Sequence, residues 1–208
     1  IAVNYSLDNP AADGLTHGMY LHLLKYLKGT PYADRIVSAQ ELVSILRIRK
    51  LPSEIERIAA AAKMTVEVWA ESLGQLKPGM TEIEIDSVID GNMRKRGVEP
   101  SFNTIVNAGD KTLPGHGLPS KAKVEPGDLL HVDFGVKLND YCSDLQRLVY
   151  FKRRGETKPP EELLEAFRMV ASIITETGQM CKPGVKGFEI DALARSEEHT
   201  SELQSRQS

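Results

Sequence analysis

Asp133 and Asp144 stand eleven residues apart in the stretch HVDFGVKLNDYCSD, and that spacing sets a chemical problem. Val132, Phe134 and Val136 alternate with His131, Asp133 and Gly135, the period of a strand with two different faces. Leu138 to Asp140 carries the turn formers, and a second strand follows from Tyr141 towards Phe151. A two-residue loop at Leu138-Asn139 puts the aspartates directly opposite each other, with Cβ atoms roughly 5 Å apart. A loop at Asn139-Asp140 makes them diagonal neighbours on the same face. Like charges so placed destabilise a ladder, unless one carboxyl keeps a proton, water separates them, or a cation lies between them. A shared proton suits general acid/base or glycosidase chemistry. A cation needs further ligands, and an oxygen-rich set suits manganese or magnesium better than soft metals. A third reading leaves Asp144 on a solvated strand face, with Asp133 alone in use.

Two histidines lie near this pair in sequence. His131 shares the strand face of Asp133 and reads as a half-buried strand histidine more readily than as a ligand. His116, in GHGLP, sits between two glycines and near prolines, in a loop; histidines so placed are more often functional than core histidines are, although Gly-His-Gly alone is a weak signal. No phosphate-cradling loop, CxxC, HExxH or GxSxG element is present.

The elements that must position these residues follow from periodicity and caps. A strand at IAVNYS precedes a helix with Leu23, Tyr26 and Leu27 on one face and Gly29 as its stop. A short strand at Ile36-Val37 leads through a Ser38 cap into a helix carrying Leu42, Val43 and Leu46. Ser53 and Glu56 predict a capping box opening a long helix, with Ile55, Ile58, Ala62, Val66, Trp69 and Leu73 along it. Thr81 with Glu84 caps the next helix, to about Arg96. Strands are expected at 102–107, 129–136 and 141–151, and a further helix runs from Pro159-Pro160 to about Gly178.

KPGMTEIEIDSV, Lys77 to Val88, returns as KPGVKGFEIDAL, Lys182 to Leu193, with six of twelve residues identical and helices of similar length before each copy. That pattern predicts an internal duplication whose second copy stops as its second helix begins. From Arg195 the chain reads RSEEHTSELQS, without an apolar face, and resembles the conceptual translation of a short-read sequencing adapter. Residues 195–208 are therefore expected to be an artefactual, disordered tail, and His199 is no ligand candidate.

The 208 residues suffice for a sizeable core, and 41% apolar with 26% charged residues is the composition of a soluble globular protein. A net charge of −3 gives no electrostatic reason to expect nucleic acid or a membrane surface as partner. No run approaches a membrane-spanning length, and no secretory signal opens the chain. Two cysteines make no disulfide framework and suit a reducing cytoplasm, the expected location. The start at Ile1, on a strand, reads as the middle of a longer protein.

NAGDKTLPGHGLP followed by VEPGDLLHVDFGVKLNDYCSDLQR resembles the pita-bread metallopeptidases, the family of prolidases, aminopeptidases P and methionine aminopeptidases. The likeness covers about Leu51 to Ala194. It implies an α+β, internally duplicated fold with a truncated second half, so 51–194 is expected to be a partial metallopeptidase domain. Residues 1–50 resemble the end of the N-terminal domain carried by the proline-directed branch and by creatinases. The resemblance further implies two divalent metal ions, manganese first, with cobalt or zinc as alternatives. Asp133 would chelate one ion through both oxygens, Asp144 would bridge the two, and His116 would contact the substrate and stabilise the tetrahedral intermediate. One histidine and two glutamates complete the family's site from its second half, and none of the three is in this chain, so the 208 residues alone are expected to be inactive. The implied reaction is hydrolysis of the N-terminal Xaa-Pro bond of a peptide, by an aminopeptidase or a dipeptidase that is a homo-oligomer at full length. The other readings are a creatinase-like hydrolase, against which both aspartates argue, and a non-catalytic pita-bread module that binds peptide or protein.

Overall fold

The computed structural model describes residues 1–112 and 117–205, with side chains as far as Ser196. The elements in chain order are β1 (Ala2–Val3), α1 (His17–Leu27), β2 (Val37–Ser38), α2 (Gln40–Ile48), α3 (Pro52–Leu73), α4 (Glu82–Lys95), β3 (Glu99–Pro100), β4 (Ile105–Ala108), β5 (Leu129–Phe134), β6 (Val136–Leu138), β7 (Tyr141–Cys142), β8 (Leu145–Tyr150), α5 (Glu161–Met180) and α6 (Gly187–Ser205). Short 3₁₀ turns occur at Pro10–Ala12 and Gly109–Thr112. The strands form a parallel pair β1-β2 and two three-stranded sheets, β3-β6-β7 and β4-β5-β8. This is the expected α+β composition.

Two compact units make up the chain. The first comprises Ile1–Leu76, Asp86–Ile105 and Asp133–Gln146, so the expected N-terminal segment 1–50 falls wholly within it. Here α3 packs on β6 and β7. Its buried stripe is Ala61, Thr65, Val68, Trp69 and Ser72, and the Trp69 ring lies against Phe134 with centroids 6.1 Å apart. That is one helical position away from the face expected from the apolar residues: Ile55, Val66 and Leu73 are exposed. The reason is chemical. Thr65 and Ser72 return their hydroxyls to the carbonyls of Ala61 (2.9 Å) and Val68 (2.8 Å), which removes most of the cost of burying them. Ser72 also accepts from the buried Asn92 amide at 3.0 Å. The N-terminus of α3 differs as well: Pro52 is its first residue, and Glu54, not Glu56, reaches back to the Leu51 amide at 2.6 Å. In α1 and α2, Tyr26, Leu42 and Leu46 are exposed, while Leu23, Leu27 and Val43 are half-buried.

The β6–β7 hairpin fixes the register that the sequence left open. Leu138 pairs with Tyr141 and Lys137 with Cys142, so the loop is Asn139-Asp140. Both loop residues are left-handed, with φ of 51° and 65°, the backbone of the turns whose twist matches a two-residue hairpin. An Asp140→Gly variant should gain about 0.5–1 kcal/mol, because relief of a left-handed non-glycine residue outweighs the added chain entropy. Urea unfolding of the two proteins measures this; a loss of stability would refute it.

The second unit comprises Lys77–Ile85, Val106–Val132 and Arg147–Ser208. Its core includes Ile85, Val106, Val124, Leu130, Val132 and Phe151. The two KPG segments adopt one local structure. Gly79 and Gly184 are left-handed at φ 89° and 94°. Met80 N–H donates to Lys77 O (3.3 Å) and Val185 N–H to Lys182 O (3.1 Å). Glu84 and Glu189 each accept from the amide three residues back at 2.7 Å. Thr81 completes the expected capping box by accepting from Glu84 N–H at 3.2 Å. Where disorder was expected from Arg195, the backbone continues α6 to Ser205, which packs with α5. No glycine or proline interrupts 188–208, and the Arg195–Asp191 pair at 2.9 Å braces one turn. Among the described residues no helix is long and apolar enough to cross a membrane.

Candidate functional site

Asp133 is on β5, flanked by the fully buried Val132 and Phe134, and is itself only 7% exposed. Gln146 donates from Nε2 to Asp133 Oδ2 at 3.1 Å. Carrying the hairpin register past β6 and β7 sets Asp133 opposite Gln146 and Gly135 opposite Asp144, which the Phe151 N–H bond to Asp128 O continues at 3.0 Å. Asp144 is therefore the diagonal, not the direct, neighbour of Asp133. It lies in the two-residue break between β7 and β8 and is exposed. The pair is therefore one buried and one accessible carboxylate, diagonal on one face of the same hairpin, and both are hard oxygen donors. Among the described residues, no three His, Cys, Asp or Glu side chains gather into a metal-holding group.

His116 lies outside the described residues. Its neighbour Gly117 does not: a Cβ there would stand 2.9 Å from Asn107 Oδ1, so a side chain at the second glycine of GHG would have to displace the Asn107 amide. Asn107 is fully buried on β4, and among the described residues neither of its amide atoms has a hydrogen-bond partner. His131 is half-buried, as its strand position implied, and its Nδ1 likewise has no partner among the described residues.

One residue was missed by the sequence reading. Glu82, in the first turn of α4, is fully buried. Its Oε1 accepts from Ala108 N–H at 2.9 Å. Its Oε2 accepts from Ser120 N–H (2.8 Å), from Ser120 Oγ (2.7 Å) and from the Lys111 ammonium. Burial pushes this carboxyl up, but the hydrogen bonds donated by Lys111, Ser120 and Ala108 outweigh it and hold the group below the usual carboxylate range. One carboxylate thus ties the start of α4 to Ala108, Lys111 and Ser120, on both sides of the segment that carries His116 in sequence. A signal was available: Glu82 falls on the same helical stripe as Ile85 and Ile89, both fully buried.

Residues 56–202 match the model of metallopeptidase family M24. The chain is 31% identical over 184 residues to the uncharacterized peptidase YqhT of Bacillus subtilis (strain 168), covering 88% of this chain and 50% of that protein. It is 26% identical over 190 residues to the Xaa-Pro dipeptidase of Pyrococcus furiosus, covering 91% and 53%. Among solved structures, the X-Pro aminopeptidase from Thermotoga maritima MSB8 superposes with a TM-score of 0.75 at 28% identity, over 90% of this chain and 51% of that one. The prolidase from Pyrococcus horikoshii OT3 superposes with a TM-score of 0.77 at 25% identity, over 90% and 52%. This chain spans about half the length of these relatives. The resemblance seen in the residues around His116, Asp133 and Asp144 is borne out, and the fold is the pita-bread fold. The chain belongs to metallopeptidase family M24.

Proposed function

We propose that this chain carries one half of the active centre of a peptidase that cleaves the N-terminal Xaa-Pro bond. The observation that carries the reading is the buried Asp133, held by Gln146, with Asp144 as its diagonal neighbour on the same hairpin. Two carboxylates offer the oxygen donors that suit divalent manganese, with cobalt or zinc as alternatives. Metal ions held there would polarise the scissile carbonyl and lower the pKa of a water. Gln146 fixes the Asp133 carboxylate against rotation, so a ligand-bearing side chain is already oriented before anything binds. His116 would donate a hydrogen bond where negative charge develops on the carbonyl oxygen. The remaining donors, one histidine and two glutamates, belong to the other half of a full-length relative, so the 208 residues alone should hydrolyse little.

Release of the first residue from an Xaa-Pro dipeptide and from a longer Xaa-Pro peptide tests this, in a protein of the relatives' full length carrying this chain. Added Mn²⁺ should support release and a chelator should abolish it. Asp133→Asn should reduce it at least about tenfold, since even loss of a partner outside the ligand set costs about 10–100-fold. The ratio of the two substrates distinguishes dipeptidase from aminopeptidase. Undiminished release after chelation, or in Asp133→Asn, would end the metallopeptidase reading.

A further inference from the structure

We infer that Thr65 of α3 is a positioning residue for Asp144, acting through Ser143. The inference rests on Asp144 being a metal ligand for its catalytic consequence, but not for its structural content. Asp144 lies where β7 has ended and β8 has not begun, so a ladder does not fix it. The residue before it is held instead. Ser143 N–H donates to Val136 O at 3.0 Å. Ser143 O accepts from Ser101 Oγ at 2.8 Å. Ser143 Oγ accepts from Val136 N–H at 3.0 Å and also contacts Val136 O at 3.1 Å. The third contact of that hydroxyl is Thr65 Oγ1, which itself bonds Ala61 O at 2.9 Å.

Thr65 is 1% exposed in the middle of a 22-residue helix. An apolar residue there would be the cheaper choice, since a buried hydroxyl must be bonded and a β-branched residue is a weaker helix former than alanine. Its hydroxyl links the rigid helix to Ser143, and every polar group of Ser143 is engaged. Gly135, opposite Asp144 in the register, lets the Ser143 carbonyl approach so closely that a methyl would overlap it. The chain therefore leaves a fixed point directly into Asp144, and the accessible carboxylate is aimed by its predecessor. Partners that orient ligands without touching the ion commonly set affinity in this way.

The test uses a protein of the relatives' full length carrying this chain, with Thr65→Val, which keeps the shape and removes the hydroxyl, and Thr65→Ser, which restores it. Amide exchange is followed by NMR without metal, and Mn²⁺ affinity by the EPR signal of the free ion. In Thr65→Val the Val136 and Ser143 amides should exchange about tenfold faster, as loss of one buried hydrogen bond predicts, while the Ile89 amide is unchanged. Mn²⁺ affinity should fall about 10–100-fold, and Thr65→Ser should return both to the original values. Unchanged exchange at Val136 and Ser143 overturns the proposal, and so does unchanged Mn²⁺ affinity when exchange has risen. If the unsubstituted full-length protein takes up no Mn²⁺ even at millimolar concentration, the metal reading of Asp144 fails, and exchange alone decides whether Thr65 holds this segment. Should Thr65→Val not fold, Thr65→Ala is measured by the same two readouts with the same expected direction.

Discussion

Replacing Glu82 by glutamine is expected to lower stability by about 3 kcal/mol at neutral pH. Removing one partner of a buried ion pair costs about 3–5 kcal/mol, because the remaining charge is left uncompensated. The lower end applies because the Lys111 side chain keeps 37% of its exposure and can turn towards water. Glutamine retains an acceptor for Ala108 N–H, but its amide turns a donor towards the Ser120 N–H and hydroxyl. Glu82→Ala should cost more than Glu82→Gln, since it leaves all these donors unsatisfied and opens a cavity. The pH dependence has a definite sign. The folded carboxyl titrates below its unfolded value, so its contribution is complete above the unfolded carboxylate range, at about pH 5 and higher, and is lost as pH falls through the folded value. The gap between the native chain and Glu82→Gln should therefore be wide at pH 7 and narrow towards pH 3. Urea unfolding at both values measures it. A gap below about 1 kcal/mol at pH 7 would show that the carboxylate is not the anchor described.

The parts of the molecule legible in the sequence are those where local chemistry and tertiary structure agree. Alternation placed Val132, Phe134 and Val136 in the core because both faces of that strand have different neighbours. Thr81 and Glu84 were readable because a capping box is complete within four residues. The KPG repeat was readable because glycine supplies the left-handed residue that both turns need. Other features were hidden for a physical reason. The face of α3 is decided by what it packs against, and hydroxyls bonded to their own helix let Thr65 and Ser72 go inside while Ile55 stays out. Glu82 and Glu84 look alike as first-turn acids, yet one caps and one is buried, and the difference lies in Lys111 and Ser120, far along the chain. The loop position between Asp133 and Asp144 was undecidable from spacing, because both registers keep the aspartates on one face.

Gly135→Ala is the substitution expected to do most damage. The methyl would overlap the backbone carbonyl oxygen of Ser143 and the hydroxyl of Ser101. A flexible side chain could swing away from such a contact, and the Ser101 hydroxyl could, but the carbonyl is fixed from several sides. Moving it strains the Ser143 N–H bond to Val136 O and the Ser101 Oγ bond to Ser143 O. Ser101 N–H also donates to Gly135 O at 3.0 Å, so the two strands cannot simply part. The cost should exceed about 4 kcal/mol, the range reached when overpacking meets a hydrogen-bonded backbone. Against a total stability of about 5–15 kcal/mol for a typical domain, that leaves a large unfolded or aggregated fraction. Gly91→Ala is the matched control. Gly91 lies within α4 and a Cβ there meets nothing within 4 Å, so alanine should stabilise by about 0.5–1 kcal/mol through helix propensity. Urea unfolding of the two variants beside the native chain reads both signs in one experiment. If Gly135→Ala unfolds within about 1 kcal/mol of the native chain, the approach of Ser143 to Gly135 is looser than described, and a fixed Ser143 beside Asp144 loses its main steric support.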